Sequence, residues 1–274
     1  ISSAKQRAIS RIIFTGGEPT IRKDLLTLIR FAKKQQFEEI FVITNGRMCS
    51  NIDFCKKLVE AGLTHILFSL NGSNKEIHDK LTQVPGSFEQ VITGIKNMKE
   101  SGICVENNTT ITEMNYKDLV NIANLLVELK VDYFEYIFVN PCGFAMDNFE
   151  KIVPKYNQVI SYVHKAIDTG TKANIKVTAE SIPFCFMKDY EKNMTEFYMA
   201  PIREKLTPKE DIFDLNESRK INVKAKGKEC ENCKYYFMCE GIWTEYAKKR
   251  GFDELKPIIG NKVKSIGELK GLIG

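Results

Sequence analysis

Short apolar runs alternate with longer amphipathic stretches over most of the first half of the chain. Runs rich in β-branched and aromatic residues predict buried strands at Arg11–Thr15, Ile40–Thr44, His65–Leu70, Val105–Ile111 and Tyr133–Val139. Apolar residues at helical spacing predict helices between them, at Arg22–Gln36, Ile52–Ala61, Ser87–Ser101 and Tyr116–Lys130. This alternation indicates a parallel sheet, either open or closed into a barrel. Both architectures bind ligands at the C-terminal ends of their strands, so the residues just after each strand are candidate site residues.

The alternation of strands and helices weakens after Pro141. The pattern there predicts a helix at Lys151–Ile167, a strand at Asn174–Thr178, a polar linker at Asp189–Lys228 and a compact cysteine-containing tail at Glu229–Ile259. The sequence therefore predicts an α/β core over residues 1–180 and a small Cys-rich extension over residues 181–274.

The composition is that of an ordinary globular protein, with 43% hydrophobic and 27% charged residues among 274. The net charge of +5 is spread along the chain without a basic block, so nucleic acid is not an expected partner. No apolar run approaches the roughly 18 residues of a membrane span, and no signal peptide is visible. We expect a cytoplasmic location, where eight cysteines favour metal or redox chemistry over disulfides.

Polar residues gather at the predicted strand ends. The first strand is followed by Gly16-Gly17-Glu18-Pro19, in which the glycines allow a sharp turn or a close approach to a ligand and the carboxylate can accept hydrogen bonds from an ammonium group. The same tetrapeptide would also serve as a simple tight turn. Further polar residues end or follow the next strands: Thr44, Asn45, Ser69 and Asn108.

In this order and spacing the strand-end residues resemble the radical S-adenosylmethionine (SAM) superfamily, and the likeness extends to His78-Asp79 and Val91-Ile92-Thr93-Gly94-Ile95. The resemblance covers roughly residues 11–143 and implies a TIM-like (β/α)6 barrel that binds SAM. It implies that the segment Gly16, Gly17, Glu18 and Pro19 engages the SAM amino group. It also implies that Ser69 and Asn108 reach the ribose hydroxyls or the carboxylate, with Thr44 and Asn45 on the same rim. Taken singly, Ser69 could cap a turn and Asn108 could satisfy backbone groups.

Members of this superfamily hold a [4Fe-4S] cluster on three cysteines, usually spaced C-x3-C-x2-C, ahead of the Gly-Gly-Glu-Pro segment. Fifteen residues precede Gly16 here and none is a cysteine. We therefore expect a partial barrel without its first strand and cluster loop, inactive as given. An N-terminally incomplete piece and a naturally degenerate relative would both explain this; the start at Ile1 and the intact SAM-side motifs favour the incomplete piece.

The tail carries three closely spaced cysteines, Cys230, Cys233 and Cys239, and thiolates at such spacing bind zinc or iron–sulfur clusters. The spacing is similar to the auxiliary cluster sites of SPASM and Twitch extensions, which implies a [4Fe-4S] cluster, with Cys185 as the best candidate for a fourth ligand. Structural zinc is the alternative. The remaining cysteines are isolated and are interpreted as structural thiols: Cys49, Cys55, Cys104 and Cys142.

The resemblance implies an oxidoreductase or maturase that, in complete form, reductively cleaves SAM to modify a peptide or a cofactor precursor. A reductant such as ferredoxin or flavodoxin would supply the electron. A degenerate, non-catalytic SAM- or metal-binding scaffold is the alternative hypothesis.

Overall fold

A computed structural model describes residues 1–2, 9–198, 203–204, 213–214 and 223–273. One sheet of six parallel strands runs in sequential order, β1 to β6. Its strands are β1 (Arg11–Phe14), β2 (Glu39–Thr44), β3 (His65–Ser69), β4 (Cys104–Ile111), β5 (Tyr133–Phe138) and β6 (Lys176–Glu180). Two-residue antiparallel pairs join β7 (Arg203–Glu204) to β8 (Phe213–Asp214) and β9 (Lys224–Ala225) to β10 (Ile242–Trp243).

Helices connect the strands, as the sequence predicts. They are α1 (Leu25–Lys34), α2 (Ile52–Ala61), α3 (Lys75–Thr82), α4 (Ser87–Glu100), α5 (Leu119–Glu128), α6 (Phe144–Asp147), α7 (Phe149–Ile152), α8 (Tyr156–Lys172), α9 (Thr244–Arg250) and α10 (Ile266–Ile273). The α2 bounds match the prediction because Asn51 caps the first turn and Gly62 ends the helix in the left-handed conformation. No helix within the described ranges is long and apolar enough to cross a membrane.

Two predicted elements in the C-terminal part begin later in the structure than predicted. The helix predicted at 151–167 begins instead at Tyr156, because the residue before Pro154 is extended and separates α7 from α8. The last strand begins two residues later than predicted, at Lys176, because Asn174 adopts a positive φ of 58° and closes the turn after α8. The sequence offers Ser73 or Asn74 as the N-cap of a polar helix start at His78 but no bounds for this helix; in the structure Asn74 caps α3, whose buried residue is His78.

The structure describes only part of the predicted linker at 189–228. Short 3-10 turns occupy Glu191–Asn193 and Thr195–Phe197, and the β7–β8 and β9 pairings fall in the same stretch. The remaining parts of that prediction, residues 199–202, 205–212 and 215–222, lie outside the described residues.

Backbone contacts divide the chain into two compact units. The first comprises residues 1–110, 117–135 and 165–177, and the second comprises residues 111–116, 136–164 and 178–274. The predicted boundary near residue 180 stays a prediction.

Strand register sets the faces of the sheet in the first unit. Parallel pairing aligns His65 with Cys104 and Ser69 with Asn108 on β3 and β4. Side chains alternate along each strand, so residues 65, 67 and 69 share a face with 104, 106 and 108. The opposite face packs on the helices through fully buried side chains, including Val42, Leu58, Ile66, Phe68, Val91 and Ile95.

Helix α4 packs tightly against the turn after β2. A Cβ atom built on Gly94 would lie 2.8 Å from the carbonyl oxygen of Gly46 and 2.9 Å from Cβ of Cys49. The Gly94 backbone is in an ordinary helical conformation, so the close approach, rather than dihedral freedom, requires glycine here.

We expect Gly94→Ala to destabilise the protein although alanine is the better helix former by about 1 kcal/mol. Overpacking against a backbone oxygen costs about 1–3 kcal/mol, which should exceed that gain and lower the thermal midpoint. Lys96→Ala, at an exposed position of the same helix, is the control and should change stability by less than about 0.5 kcal/mol. Equal or raised stability of Gly94→Ala would contradict the packing argument.

Candidate functional site

The carboxylate of Glu18 joins the first two strand ends. Its Oε1 accepts hydrogen bonds from the backbone nitrogen (2.9 Å) and hydroxyl (2.6 Å) of Thr20 and from the Thr44 hydroxyl (2.7 Å). Its Oε2 accepts one from the Asn45 backbone nitrogen at 2.8 Å. Thr20 and Thr44 are both buried. Protein donors therefore use most of the acceptor capacity of this carboxylate, and Glu18 holds the Gly-Gly turn against the end of β2.

The turn itself leaves its backbone accessible. Gly16 and Gly17 are exposed, and Gly16 has a φ of +134°, which side-chain-bearing residues rarely adopt. Pro19 is buried and begins the 3-10 turn that follows. The main-chain groups of the two glycines are thus presented at the C-terminal edge of the sheet.

Ser69 and Asn108 form the other half of this edge. They are paired across β3 and β4, and the Ser69 hydroxyl donates to Oδ1 of Asn108 at 3.0 Å. Both are half-buried. This bond orients the Asn108 amide group and leaves its Nδ2 as a donor. We call the residues Gly16–Pro19, Thr44, Asn45, Ser69 and Asn108 the strand-end rim.

Sequence reasoning missed the residues that support the rim from behind. Asn107 Oδ1 accepts from the Leu70 backbone nitrogen at 2.9 Å, and Asn71 Oδ1 accepts from that of Thr110 at 2.9 Å. The Asn71 backbone nitrogen donates to Nδ1 of buried His78 at 3.1 Å. Burial lowers the His78 pKa to about 4, which keeps the ring neutral and able to accept. The two consecutive asparagines on β4 could have indicated this supporting role. Successive side chains face opposite sides of the sheet, so Asn107 and Asn108 cannot both lie on the face that carries the rim.

In the second unit, the four cysteines predicted to bind metal line one cavity. Cys185, Cys230, Cys233 and Cys239 share it with mainly apolar neighbours, including Phe184, Tyr236 and Leu255. No disulfide joins any of the eight cysteines. We call this feature the four-cysteine cavity. Four convergent thiols suit either a tetrahedral zinc ion or an iron–sulfur cluster.

Short turns bring the thiols together. Cys185 lies in the 3-10 turn Phe184–Phe186, and Cys230 lies in the turn Lys228–Asn232. The Cys233 backbone nitrogen donates to the Cys230 carbonyl at 2.9 Å, and that of Gly241 donates to Cys239 Sγ at 3.3 Å.

Gly241 is required by the β9–β10 pairing. Its φ is +89°, and an added Cβ would lie 2.1 Å from the carbonyl oxygen of Ala225. The close approach of these two backbones sets the end of the Cys239 loop beside β9.

Burial in this cavity opposes thiol ionisation. Desolvation raises the pKa of Cys185 to about 12 and that of Cys239 to about 11, and it also raises the pKa of Cys230. Neighbouring sulfurs raise the Cys185 pKa further. Thiolates here therefore need a positive charge, which a metal ion or cluster would supply.

One cation already belongs to the cavity lining. Lys226 follows β9, and its Nζ donates to the Tyr236 carbonyl at 2.6 Å and lies 4.5 Å from the centroid of that ring. Its charge opposes the desolvation of Cys239 and Cys230 and thus favours their thiolate forms.

The other cysteines lie elsewhere. Cys49 and Cys55 are fully buried in the first unit, where the Cys55 thiol donates to the Cys49 carbonyl at 3.1 Å. Cys142 is exposed, and Cys104 is half-buried on β4. None of these four lines the four-cysteine cavity.

A family model described as the radical SAM superfamily matches residues 1–126. An Fe-coproporphyrin III synthase from Methanosarcina barkeri is 26% identical over 89% of this chain and 60% of its own length. A probable GTP 3',8-cyclase from Sulfurisphaera tokodaii is 32% identical over 58% of this chain and 49% of its own length. The chain thus spans about half to three-fifths of the curated relatives it matches.

The fold is shared with a solved structure, that of SuiB from Streptococcus suis bound to S-adenosylmethionine. That structure aligns with a TM-score of 0.61 and 18% identity over 94% of this chain and 67% of its own. At this identity the likeness concerns the fold, a TIM-like partial barrel. Residues 1–126 are therefore similar to the radical SAM superfamily.

Proposed function

We propose that this chain is part of a radical SAM enzyme that binds SAM at the strand-end rim and an auxiliary [4Fe-4S] cluster in the four-cysteine cavity. The observation that carries the proposal is the convergence of Cys185, Cys230, Cys233 and Cys239 on one cavity in a chain similar to this superfamily. When bound, the SAM-binding cluster of such enzymes supplies the electron that generates a 5′-deoxyadenosyl radical.

The chain's own residues would bind and orient SAM. The exposed backbone at Gly16 and Gly17 would accept hydrogen bonds from the ammonium group, while Glu18 fixes the turn through Thr44 and Asn45. The Asn108 amide, oriented by Ser69, would bind a ribose hydroxyl or the carboxylate. Thr44 and Asn45 would line the rim.

The apolar lining of the four-cysteine cavity supports the cluster assignment. Phe184, Leu255 and Pro257 would shield a bound cluster from water, which affects its reduction potential. Zinc would satisfy the same thiols. We favour the cluster because relatives in this superfamily depend on iron–sulfur chemistry.

The substrate we propose is a cofactor precursor or a peptide. The alignment with the Fe-coproporphyrin III synthase reaches over most of this chain, and other relatives are named AdoMet-dependent heme synthases, which favours a cofactor precursor. The SuiB structures include one bound to a precursor peptide, and that likeness extends to the fold alone.

The decisive experiment is anaerobic reconstitution of the chain with iron and sulfide. We expect about four irons per chain and an EPR signal on reduction, both lost when Cys230, Cys233 and Cys239 are replaced by alanine. Cys142→Ala, which removes an exposed thiol outside the cavity, should retain both.

Zinc in place of iron would remove the auxiliary cluster and support a structural zinc site. Absence of any metal would support the non-catalytic scaffold hypothesis, provided that SAM still binds.

Replacing Asn108 by alanine should weaken SAM binding about 5- to 10-fold, because one hydrogen bond contributes about 1–1.5 kcal/mol. Asn121→Ala is the control, since its amide bonds Asp118 at 3.0 Å and it is not one of the rim residues. Equilibrium dialysis with labelled SAM measures both. Unchanged affinity in Asn108→Ala would exclude this residue from the site.

Replacing Lys226 by methionine should make the reduction potential of the cluster more negative, because a cation beside a cluster favours the added electron. Lys226→Arg should keep the wild-type potential, as should Lys248→Met on the exposed face of α9. Potentiometric titration followed by EPR gives the values. A wild-type potential in Lys226→Met with full iron content would refute this role of Lys226.

A further inference from the structure

A second group of metal-binding side chains lies in the first unit, at the opposite end of the strands from the rim. His65 and Cys104 are the first residues of β3 and β4 and are paired in register, and Glu106 follows two residues along β4. All three share the sheet face that carries Ser69 and Asn108. Four residues of strand separate the two sites, about 13 Å.

The ligand atoms are close enough for one ion. One donor atom from each of the three residues lies within 4.8 Å of the other two. Cys104 Sγ and a carboxylate oxygen of Glu106 are 3.7 Å apart. Two ligands of a tetrahedral zinc ion, with bonds of about 2.3 Å to sulfur and about 2.0 Å to oxygen, are about 3.5 Å apart. Small rotamer changes would complete the geometry.

The His65 ring is already fixed in place. It stacks on Phe41 with centroids 4.2 Å apart, and its Nδ1 lies 2.8 Å from the Thr64 hydroxyl. A hydrogen bond to one ring nitrogen is the usual way in which a ligating histidine is oriented. Burial lowers the pKa of His65, so the ring is in the neutral form that binds metals.

Nearby cations do not fill the place of a metal ion. Arg11 pairs with Glu39, and Lys99 pairs with Asp132 at 2.7 Å. Burial raises the pKa of Cys104 to about 12 and raises that of Glu106. A positive charge favours the ionised forms of both acidic ligands, as Arg11 does for Glu106 and Lys99 does for Cys104.

We propose that His65, Cys104 and Glu106 bind one zinc ion, with water as a fourth ligand. A mixed nitrogen, sulfur and oxygen donor set suits zinc better than magnesium or calcium. The ion would cross-link β3 and β4 at their N-terminal ends and stabilise the sheet beneath the rim. This site is independent of what the four-cysteine cavity binds.

Zinc stoichiometry in the full chain tests the proposal. After zinc loading and removal of loosely bound metal, Cys104→Ser, His65→Ala and Glu106→Gln should each hold one zinc per chain fewer than the wild type. Cys142→Ser should match the wild type. A cobalt-loaded wild-type chain should show thiolate charge-transfer absorption that decreases in Cys104→Ser and not in Cys142→Ser.

The zinc content of each variant is compared with that of the wild type, so any metal in the four-cysteine cavity contributes equally to both values. Glu106→Gln preserves size and shape and decides the case if Cys104→Ser fails to fold. Equal zinc content in Glu106→Gln, His65→Ala and the wild type would overturn the proposal without affecting the auxiliary cluster.

Discussion

The geometry of the strand-end rim depends on the hydrogen bonds that the carboxylate of Glu18 accepts. Hydrogen bonds from Thr20, Thr44 and Asn45 fix its oxygens and thereby join the first βα turn to the end of β2. Loss of this carboxylate would leave its buried donors unpaired, which is costly. The glycine backbone beside it is therefore positioned by these bonds although it is exposed to solvent.

The two candidate sites differ in polarity and in exposure to water. The rim is polar and partly exposed, and its groups already have protein partners that orient them, such as Ser69 for Asn108. The four-cysteine cavity is apolar, and burial there disfavours the thiolate form of Cys185 and Cys239. The first arrangement is complete before a ligand arrives, whereas the second becomes favourable only with a bound cation.

Sequence patterns predict the ends of helices and strands well where several signals agree. At α2, helical periodicity and the glycine at position 62 indicate the same end of the helix. The patterns fail where a single backbone feature overrides periodicity, as at Pro154 and at Asn174. They also cannot assign hydrogen-bond partners across the fold. The donors to Glu18 include Thr44, far along the chain, so the positioning role of this residue emerges only in three dimensions, while its contact with the SAM amino group stays a prediction. The convergence of Cys185 with the tail cysteines has the same origin.

The cysteines of the four-cysteine cavity come from separate stretches, with Cys185 well upstream of the other three. A metal centre that joins them closes the intervening chain into a loop. The entropy of closing a flexible loop grows only with the logarithm of its length, so that each doubling costs about 0.6 kcal/mol. The loss of chain entropy on metal binding would therefore depend only weakly on the number of residues between Cys185 and Cys230.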